Sequence, residues 1–133
     1  MNRDLIETYK AVRLNHKTIT KKLWDYHHQH QQDPEWYYIV RAEEPTKSNE
    51  IAARFIYLNR TCFNGIYRVN RDGKFNVPRG GKTQVMMPDD DWHGWSVALQ
   101  SVELLYADFQ PMLDQAEKGD FLFVDPPTLF TTI

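Results

Sequence analysis

The middle of the chain concentrates basic and aromatic side chains of the kind that contact nucleic acids. Residues 51–85 carry seven Lys or Arg residues against one Asp, a net charge of +6. Around an Asp-Gly turn signal these residues include Arg60, Arg68, Arg71, Lys74 and Arg79, interleaved with Phe63, Tyr67 and Phe75. Arginine can read guanine through two hydrogen bonds, and an aromatic ring can insert between base steps. The pattern predicts a DNA-binding segment, with a solvated charged face as the alternative.

A second candidate site lies in residues 123–128, Phe-Val-Asp-Pro-Pro-Thr. Asp125 follows an apolar segment that is typical of a buried strand, and α/β sheets place their chemistry at the carboxyl ends of such strands. The two prolines hold the backbone extended. We therefore expect Asp125 and Pro126 to form a rigid corner that can face a base amino group, with a turn-capping role as the alternative.

Other residues that could take part in catalysis or metal binding lie in less specific sequence patterns. His27, His28 and His30 form a histidine run, but no carboxylate is spaced to complete a metal site with them, so a solvated helix end is the favoured interpretation. Cys62 has no neighbouring base in the sequence to activate its thiol. The run Asp89–Asp91 suits a solvated loop better than a cation site. The sequence predicts no metal site and no catalytic cysteine.

Apolar periodicity predicts the elements that must position these groups. Helical spacing predicts helices over residues 3–14, 18–29, 34–40, 50–60, 96–100 and 110–118. Alternation on both sides of Arg71-Asp72-Gly73 predicts a β-hairpin with strands over residues 66–70 and 74–77. Two further strands, 103–107 and 121–124, flank the last helix and are predicted to pair in parallel as a β-α-β unit.

Composition narrows the class of protein. The chain has 133 residues, of which 41% are hydrophobic and 26% charged, as expected of one globular domain. No apolar run approaches the roughly 20 residues of a membrane span, and the first residues do not form a signal peptide. A single cysteine excludes an internal disulfide framework. These features predict a cytoplasmic protein without membrane partners.

Residues 55–78 carry the most specific pattern, Phe-Ile-Tyr-Leu-Asn-Arg-Thr-Cys-Phe-Asn-Gly-Ile-Tyr-Arg-Val-Asn-Arg-Asp-Gly-Lys-Phe-Asn-Val-Pro. This segment closely resembles the target-recognition region of Dam-type DNA adenine-N6 methyltransferases. The match extends upstream to Asn2-Arg3-Asp4-Leu5-Ile6 and downstream to Gly119-Asp120-Phe121 and Asp125-Pro126-Pro127. The resemblance covers nearly the whole chain and implies a location in a bacterial or phage-infected cell.

The resemblance implies roles for individual residues. It makes Phe63 a wedge beside the flipped base, and Arg68 the residue that reads a guanine. It brings Asn64, Ile66 and Pro78 to the DNA, and makes Asp125, shaped by Pro126, the acceptor for the adenine amino group. Charge adds four candidate DNA contacts, Arg60, Arg71, Lys74 and Arg79.

The chain also departs from the family pattern. The family's Gly-rich S-adenosylmethionine loop and first strand would lie before Met1, so the resemblance implies a truncated protein without a cofactor pocket. Thr128 stands where the family has the Tyr that stacks on the flipped adenine. After Pro78 the family continues Phe-Gly-Arg, whereas this chain has Arg79-Gly80-Gly81-Lys82.

We therefore expect a mixed α/β fold: a helical bundle with a β-hairpin and a short β-α-β remnant of a methyltransferase-type Rossmann sheet. A single domain over residues 1–133 would comprise a helical part over 1–62, the DNA-recognition-like hairpin over 63–82, and the β-α-β remnant over 96–133.

The favoured function is binding of double-stranded DNA, at sites resembling GATC, without autonomous methyl transfer. Residues 86–133 have a net charge of −8 and could instead mimic DNA. The alternative is therefore a phage or mobile-element protein that inhibits a nucleic-acid enzyme, such as a host CRISPR or restriction complex. A third hypothesis is an S-adenosylmethionine-dependent enzyme that needs a complementing chain. A homodimer or a protein partner would cover the exposed sheet remnant.

Overall fold

Five α-helices provide most of the regular structure in residues 2–125, the part of the chain that the computed structural model describes. They are α1 (Arg3–Gln32), α2 (Trp36–Ala42), α3 (Ser48–Thr61), α4 (Trp92–Ala98) and α5 (Phe109–Leu113), with single 3₁₀ turns at Phe63–Gly65 and Leu99–Ser101. The first four helices belong to a unit formed by Asn2–Leu104, and α5 belongs to a second unit that starts at Leu105. None of the helices in this part is both long and apolar enough to cross a bilayer.

Helix α1 joins two segments that the sequence predicts as separate helices. Asn2 caps its first turn, because the Asn2 side-chain oxygen accepts a hydrogen bond from the Leu5 amide at 3.2 Å. Asn15 has φ −137° and ψ 31°, which kinks the helix between the two predicted segments. The helix ends before Asp33-Pro34, where the proline disfavours a helical conformation in the preceding residue.

The core of the larger unit forms where α1 and α3 pack against each other. Ile19 and Leu23 of α1 are fully buried, and so are Ala52 and Ala53 of α3. The two alanines have small side chains, which lets the two helices approach closely. Burying each large aliphatic side chain contributes roughly 1.5–3 kcal/mol, so this contact stabilises the scaffold from which the basic segment projects.

The predicted β-hairpin is wrong. Residues 62–79 do turn back on themselves, but they pair only through two isolated antiparallel bridges, Cys62–Arg79 and Val69–Phe75. The side chains of residues 63–70 are all exposed. Tyr67 packs on the rings of Phe55 and Phe75, but this contact leaves most of the segment without the apolar cover that stabilises a strand ladder. The segment is a closed loop and not a two-stranded ribbon.

The predicted β-α-β remnant is also wrong within the described residues. Residues 103–107 and 121–124 are coil, and α5 is shorter than the helix predicted at 110–118. Phe121 and Phe123 are 91% and 85% exposed. A strand of this composition needs neighbours on both faces and along its edge, and the second unit supplies none up to residue 125. The described part of the chain is helical, without a Rossmann-type sheet; the division into one domain with three parts stays a prediction.

Candidate nucleic-acid interface

The basic loop, residues 62–82, leaves α3 and returns to it at a closely packed neck. The Phe63 amide donates to the Pro78 carbonyl at 2.9 Å, and the Gly80 amide donates to the Thr61 carbonyl at 2.8 Å. A Cβ on Gly80 would lie only 2.6 Å from the Cys62 carbonyl oxygen, so the close approach of the two arms requires glycine here. The neck fixes both ends of the loop to the end of α3.

The returning arm is held by helix α2. Val77 is buried, and its carbonyl accepts hydrogen bonds from the Tyr37 hydroxyl at 2.8 Å and from Arg41 Nη1 at 3.2 Å. Burial raises the pKa of the Tyr37 hydroxyl, which keeps it protonated as a donor. These bonds bring the middle of the returning arm into the core, so its neighbours Asn76 and Pro78 have a defined position.

A buried histidine secures the end of the loop. His30 of α1 is fully buried, and its Nε2 lies 3.2 Å from the Lys82 carbonyl. Because a carbonyl only accepts, Nε2 carries the proton and Nδ1 accepts from the Tyr57 hydroxyl at 2.7 Å. Burial lowers the pKa of His30, which favours this neutral form.

His27, one turn earlier on the same face, holds the chain that follows the loop. Its Nδ1 accepts hydrogen bonds from the amides of Val85 and Met86, both at 3.2 Å. Burial lowers the pKa of His27, with the neighbouring His28 as a smaller cause. The sequence interpretation of the histidine run as a solvated helix end missed these contacts. The available signal was that His27 and His30 continue the apolar face of α1 formed by Ile19, Leu23 and Tyr26.

The tip of the basic loop is a tight turn organised by Asn70. The Asn70 side-chain oxygen accepts from the amides of Asp72 at 3.0 Å and Lys74 at 2.9 Å. Gly73 adopts φ +76°, the left-handed conformation that the predicted Asp-Gly turn requires. This turn leaves Arg71 exposed at the outermost point of the loop.

Near the neck, the loop exposes two apolar side chains. Phe63 is 51% exposed and Ile66 is 47% exposed. Between them Asn64 and Gly65 have φ of 52° and 63°, a pair of left-handed residues that turns the chain sharply. Half-exposed apolar side chains on a fixed backbone are suited to insertion between stacked bases.

The predicted DNA-contacting cations fall into two groups in the structure. Arg68, Arg71, Lys74 and Arg79 are accessible from solvent. Two of these four pair with carboxylates that flank α2: Lys74 Nζ lies 2.5 Å from Glu44, and Arg79 Nη2 lies 3.0 Å from Glu35. Exposed pairs of this kind contribute little to stability and can exchange their partner for a phosphate.

Arg60 is in a different environment. Its guanidinium donates to both carboxylate oxygens of Asp90, at 2.6 and 2.8 Å, and to the Val85 carbonyl at 2.6 Å. It also lies over the Trp92 ring, 5.3 Å from the ring centroid. Burial raises the pKa of Asp90, but hydrogen bonds from Arg60 and the Met87 amide outweigh it and hold the pKa below its usual value. Arg60 thus ties α3 to the segment before α4; its predicted contact with DNA stays a prediction.

The acidic run at Asp89–Asp91 is largely used inside the protein. Asp90 pairs with Arg60, and Asp91 caps α4 by accepting from the Gly94 amide at 2.8 Å. Only Asp89 of the three has no such contact within residues 2–125. The run therefore offers few free charges to mimic a phosphate backbone.

The second candidate site is described only in part. Asp125 is exposed and lies in coil of the second unit, preceded by the exposed residues 121–124, while Pro126 lies outside the described residues. No buried polar groups and no strand end surround Asp125 among the described residues of this unit. The described residues around Asp125 therefore do not fit an S-adenosylmethionine site.

Comparison with known proteins identifies the family to which this chain belongs. The family model for D12 class N6 adenine-specific DNA methyltransferases matches residues 1–129. Type II methyltransferase M.MjaIII of Methanocaldococcus jannaschii is 31% identical over 96% of this chain and 48% of its own length. Type II methyltransferase M1.LlaDCHI of Lactococcus lactis subsp. cremoris is 32% identical over 95% of this chain and 47% of its own length. The DNA adenine methylase of Haemophilus influenzae is 35% identical over 71% of this chain.

The chain spans about half the length of the first two of these relatives. The resemblance that the sequence carries is confirmed by the family model, which extends over both the basic loop and the Asp-Pro-Pro motif. The chain belongs to the D12 class of N6 adenine-specific DNA methyltransferases.

Proposed function

We propose that this chain binds double-stranded DNA through the basic loop, residues 62–82, and reads a guanine-containing target such as GATC. Membership of a DNA methyltransferase family supports DNA as the ligand. We further propose that residues 1–133 do not transfer a methyl group on their own, because the described residues around Asp125 supply no buried polar groups that could hold S-adenosylmethionine. A cytoplasmic location, where DNA is accessible, is part of the same proposal.

The observation that carries the proposal is the combination of a fixed backbone with exposed reading groups. Tyr37 and His30 anchor the loop from the core, while Phe63, Ile66 and Arg68 remain exposed. An arginine can discriminate guanine by bidentate hydrogen bonds, and an apolar wedge can unstack the neighbouring base step. Rigid elements place such groups more accurately than a mobile loop does, which reduces the ordering cost of binding.

The solvent-exposed cations supply the part of binding that does not depend on sequence. Arg71 stands at the loop tip, and Lys74 and Arg79 can exchange Glu44 and Glu35 for phosphates. Each phosphate neutralised steepens the salt dependence of binding by roughly one unit of logarithmic slope. Together, Arg71, Lys74 and Arg79 can therefore contribute about three to the magnitude of the slope of log K against log salt concentration. The contact made by Arg68 comes in addition.

The test is duplex binding measured by fluorescence anisotropy at about 50 and about 200 mM salt, where phosphate contacts are weakened strongly. One duplex contains GATC and the other has the same composition in scrambled order. The protein variants are wild type, Arg68→Ala, and Lys17→Ala, which removes an exposed positive charge from α1. We expect Arg68→Ala to abolish the preference for GATC and Lys17→Ala to preserve it.

Failure of the wild-type protein to bind either duplex at low salt would refute the proposal. This result would favour the alternative function, inhibition of a nucleic-acid enzyme. That alternative predicts a protein complex that survives DNA competition and weakens when Asp89 is neutralised.

Methyl transfer to GATC by the chain alone, with S-adenosylmethionine added, would refute the second part of the proposal. Transfer that begins only when a complementing chain is added would support it.

A further inference from the structure

We propose that Asn76 is a positioning residue that orients the guanidinium of Arg68 for reading guanine. The proposal rests on the proposed function of the basic loop and extends it to a second residue. Asn76 lies across the loop from Arg68, on the arm that returns towards the core.

Three hydrogen bonds join the two residues. The Asn76 amide donates to the Arg68 carbonyl at 3.1 Å. Arg68 Nε donates to the Asn76 side-chain oxygen at 2.9 Å, and Arg68 Nη2 donates to the Asn76 carbonyl at 3.4 Å. Because Nε can only donate, it is the oxygen of the Asn76 amide that faces it. The pair holds the backbone and the side chain of Arg68 at the same time.

The bonds use one edge of the guanidinium and leave the other free. A guanidinium carries five N–H groups in a rigid plane, and Asn76 accepts from two of them on the Nε–Nη2 edge. Within residues 2–125 no acceptor binds Nη1. The outer edge, formed by Nη1 and Nη2, thus keeps the parallel donors that match guanine O6 and N7.

Asn76 is itself held in place by its neighbours. Phe75 packs against the hydrophobic core, and Val77 is buried with its carbonyl bound to Tyr37 and Arg41. Asn76 therefore transmits the rigidity of the core to Arg68, whose own side chain is exposed. Arginine otherwise loses much rotamer entropy when it is fixed on binding, and a partner that fixes it beforehand removes part of that cost.

The first test measures orientation in the free protein by NMR of the arginine Nε–H group. In the wild-type protein we expect a slowly exchanging Arg68 Nε–H signal, which Asn76→Ala removes. Asn76→Asp keeps an acceptor oxygen at this position and should restore it. An Arg68 signal that is identical in wild type and Asn76→Ala would overturn the proposal without any reference to DNA.

The second test measures discrimination of guanine, using a GATC duplex and the same duplex with 7-deazaguanine, which lacks the N7 acceptor. Arg68→Ala should remove the wild-type preference for the natural guanine. Asn76→Ala should reduce that preference by roughly 2- to 12-fold, the factor expected from freeing one long side chain. Asn76→Asp should restore most of it, and Asn76→Ala should have no further effect on the preference when Arg68 is already Ala.

Two outcomes separate this inference from the proposed function. If Arg68→Ala loses discrimination but Asn76→Ala retains it in full, or weakens binding to both duplexes equally, Asn76 does not orient Arg68 and the inference fails alone. If wild type itself shows no preference for guanine, the proposed function fails, and the NMR comparison still decides whether Asn76 fixes Arg68. Circular dichroism of each variant confirms that it is folded.

Discussion

Breaking the ion pair between Arg60 and Asp90 should destabilise the scaffold that carries the basic loop. The pair connects α3 to the segment before α4 through two short hydrogen bonds. The Asp90 side chain is 5% exposed and that of Arg60 is 18% exposed. Asp90 also accepts from the Met87 amide at 2.9 Å. Asp90→Ala therefore removes three acceptor contacts at once and leaves a mostly buried guanidinium without its counter-charge.

The size of the effect follows from this burial. Removing one partner of a fully buried ion pair costs roughly 3–5 kcal/mol. Arg60 retains some solvent and its bond to the Val85 carbonyl, so the cost should lie below that range, at about 2–3 kcal/mol. The double variant Arg60→Ala/Asp90→Ala should lose less than the sum of the two single variants, with a coupling of about 1–2 kcal/mol.

Urea denaturation of wild type, both single variants and the double variant measures this coupling. The matched control is the Lys74–Glu44 pair, whose side chains are 65% and 67% exposed. Because exposed pairs gain little from their attraction, the same cycle on Lys74 and Glu44 should show no coupling above error. A coupling for Arg60 and Asp90 that is no larger than the control would refute the assignment of Arg60 to the scaffold.

Three further predictions concern the loop and its anchors. Because burial lowers the pKa of both His30 and His27 in the folded state, the unfolded chain binds these protons first, and stability should fall as pH drops below about 6.5. His30→Gln should reduce this dependence in urea midpoints measured between about pH 7.5 and 5.5, and the part due to His27 should remain. Gly80→Ala places a Cβ 2.6 Å from the Cys62 carbonyl oxygen, so it should lower the thermal midpoint, whereas Gly81→Ala, where a Cβ meets nothing within 4 Å, should not. Glu44→Gln frees Lys74 and should tighten DNA binding at low salt, with the gain lost at high salt; an unchanged affinity would show that Lys74 does not reach a phosphate.

Much of the helical scaffold could be predicted from the sequence because its signals are local. The apolar spacing along residues 3–29 and 50–60 lies within the observed α1 and α3. Asn2 caps α1 as its side chain suggests, and Gly73 provides the left-handed turn expected after Asp72. Each of these features depends on residues no more than a turn away, so the sequence contains the necessary information.

The strand predictions failed because a strand depends on its partners. The apolar run at 121–124 has the composition of a buried strand, yet the described part of its unit offers no neighbouring strand, and the run is exposed coil. The alternating residues 66–70 face solvent and pair at a single bridge, Val69–Phe75. Strand propensity reflects fit to a covered surface and does not show whether that surface exists.

The sequence draws attention to exposed residues of the candidate site but not to the residues that hold them in place. Phe63, Ile66 and Arg68 are exposed, as residues that contact a ligand must be, and their contact with DNA stays a prediction. The contact between His30 and Lys82 joins residues 52 positions apart, and Arg60 meets Asp90 across 30 positions. Contacts over such distances follow from the packing of α1 and α3. Local spacing could place His30 on the buried face of α1, but it could not identify Lys82 as the partner of His30 or Asp90 as the partner of Arg60.

Guanine reading by Arg68 is tested by the ratio of affinities for GATC and scrambled duplexes, measured for wild type and Arg68→Ala with Arg71→Ala as the control. Arg71 is an exposed arginine three positions away, so it matches Arg68 in charge but lacks the contact with Asn76. A bidentate arginine–guanine contact corresponds to roughly a 5- to 150-fold preference. We predict that Arg68→Ala abolishes the preference, while Arg71→Ala weakens binding to both duplexes equally and lowers the salt slope by about one. A wild-type ratio of one, or an equal loss of preference in both variants, would show that Arg68 does not read guanine.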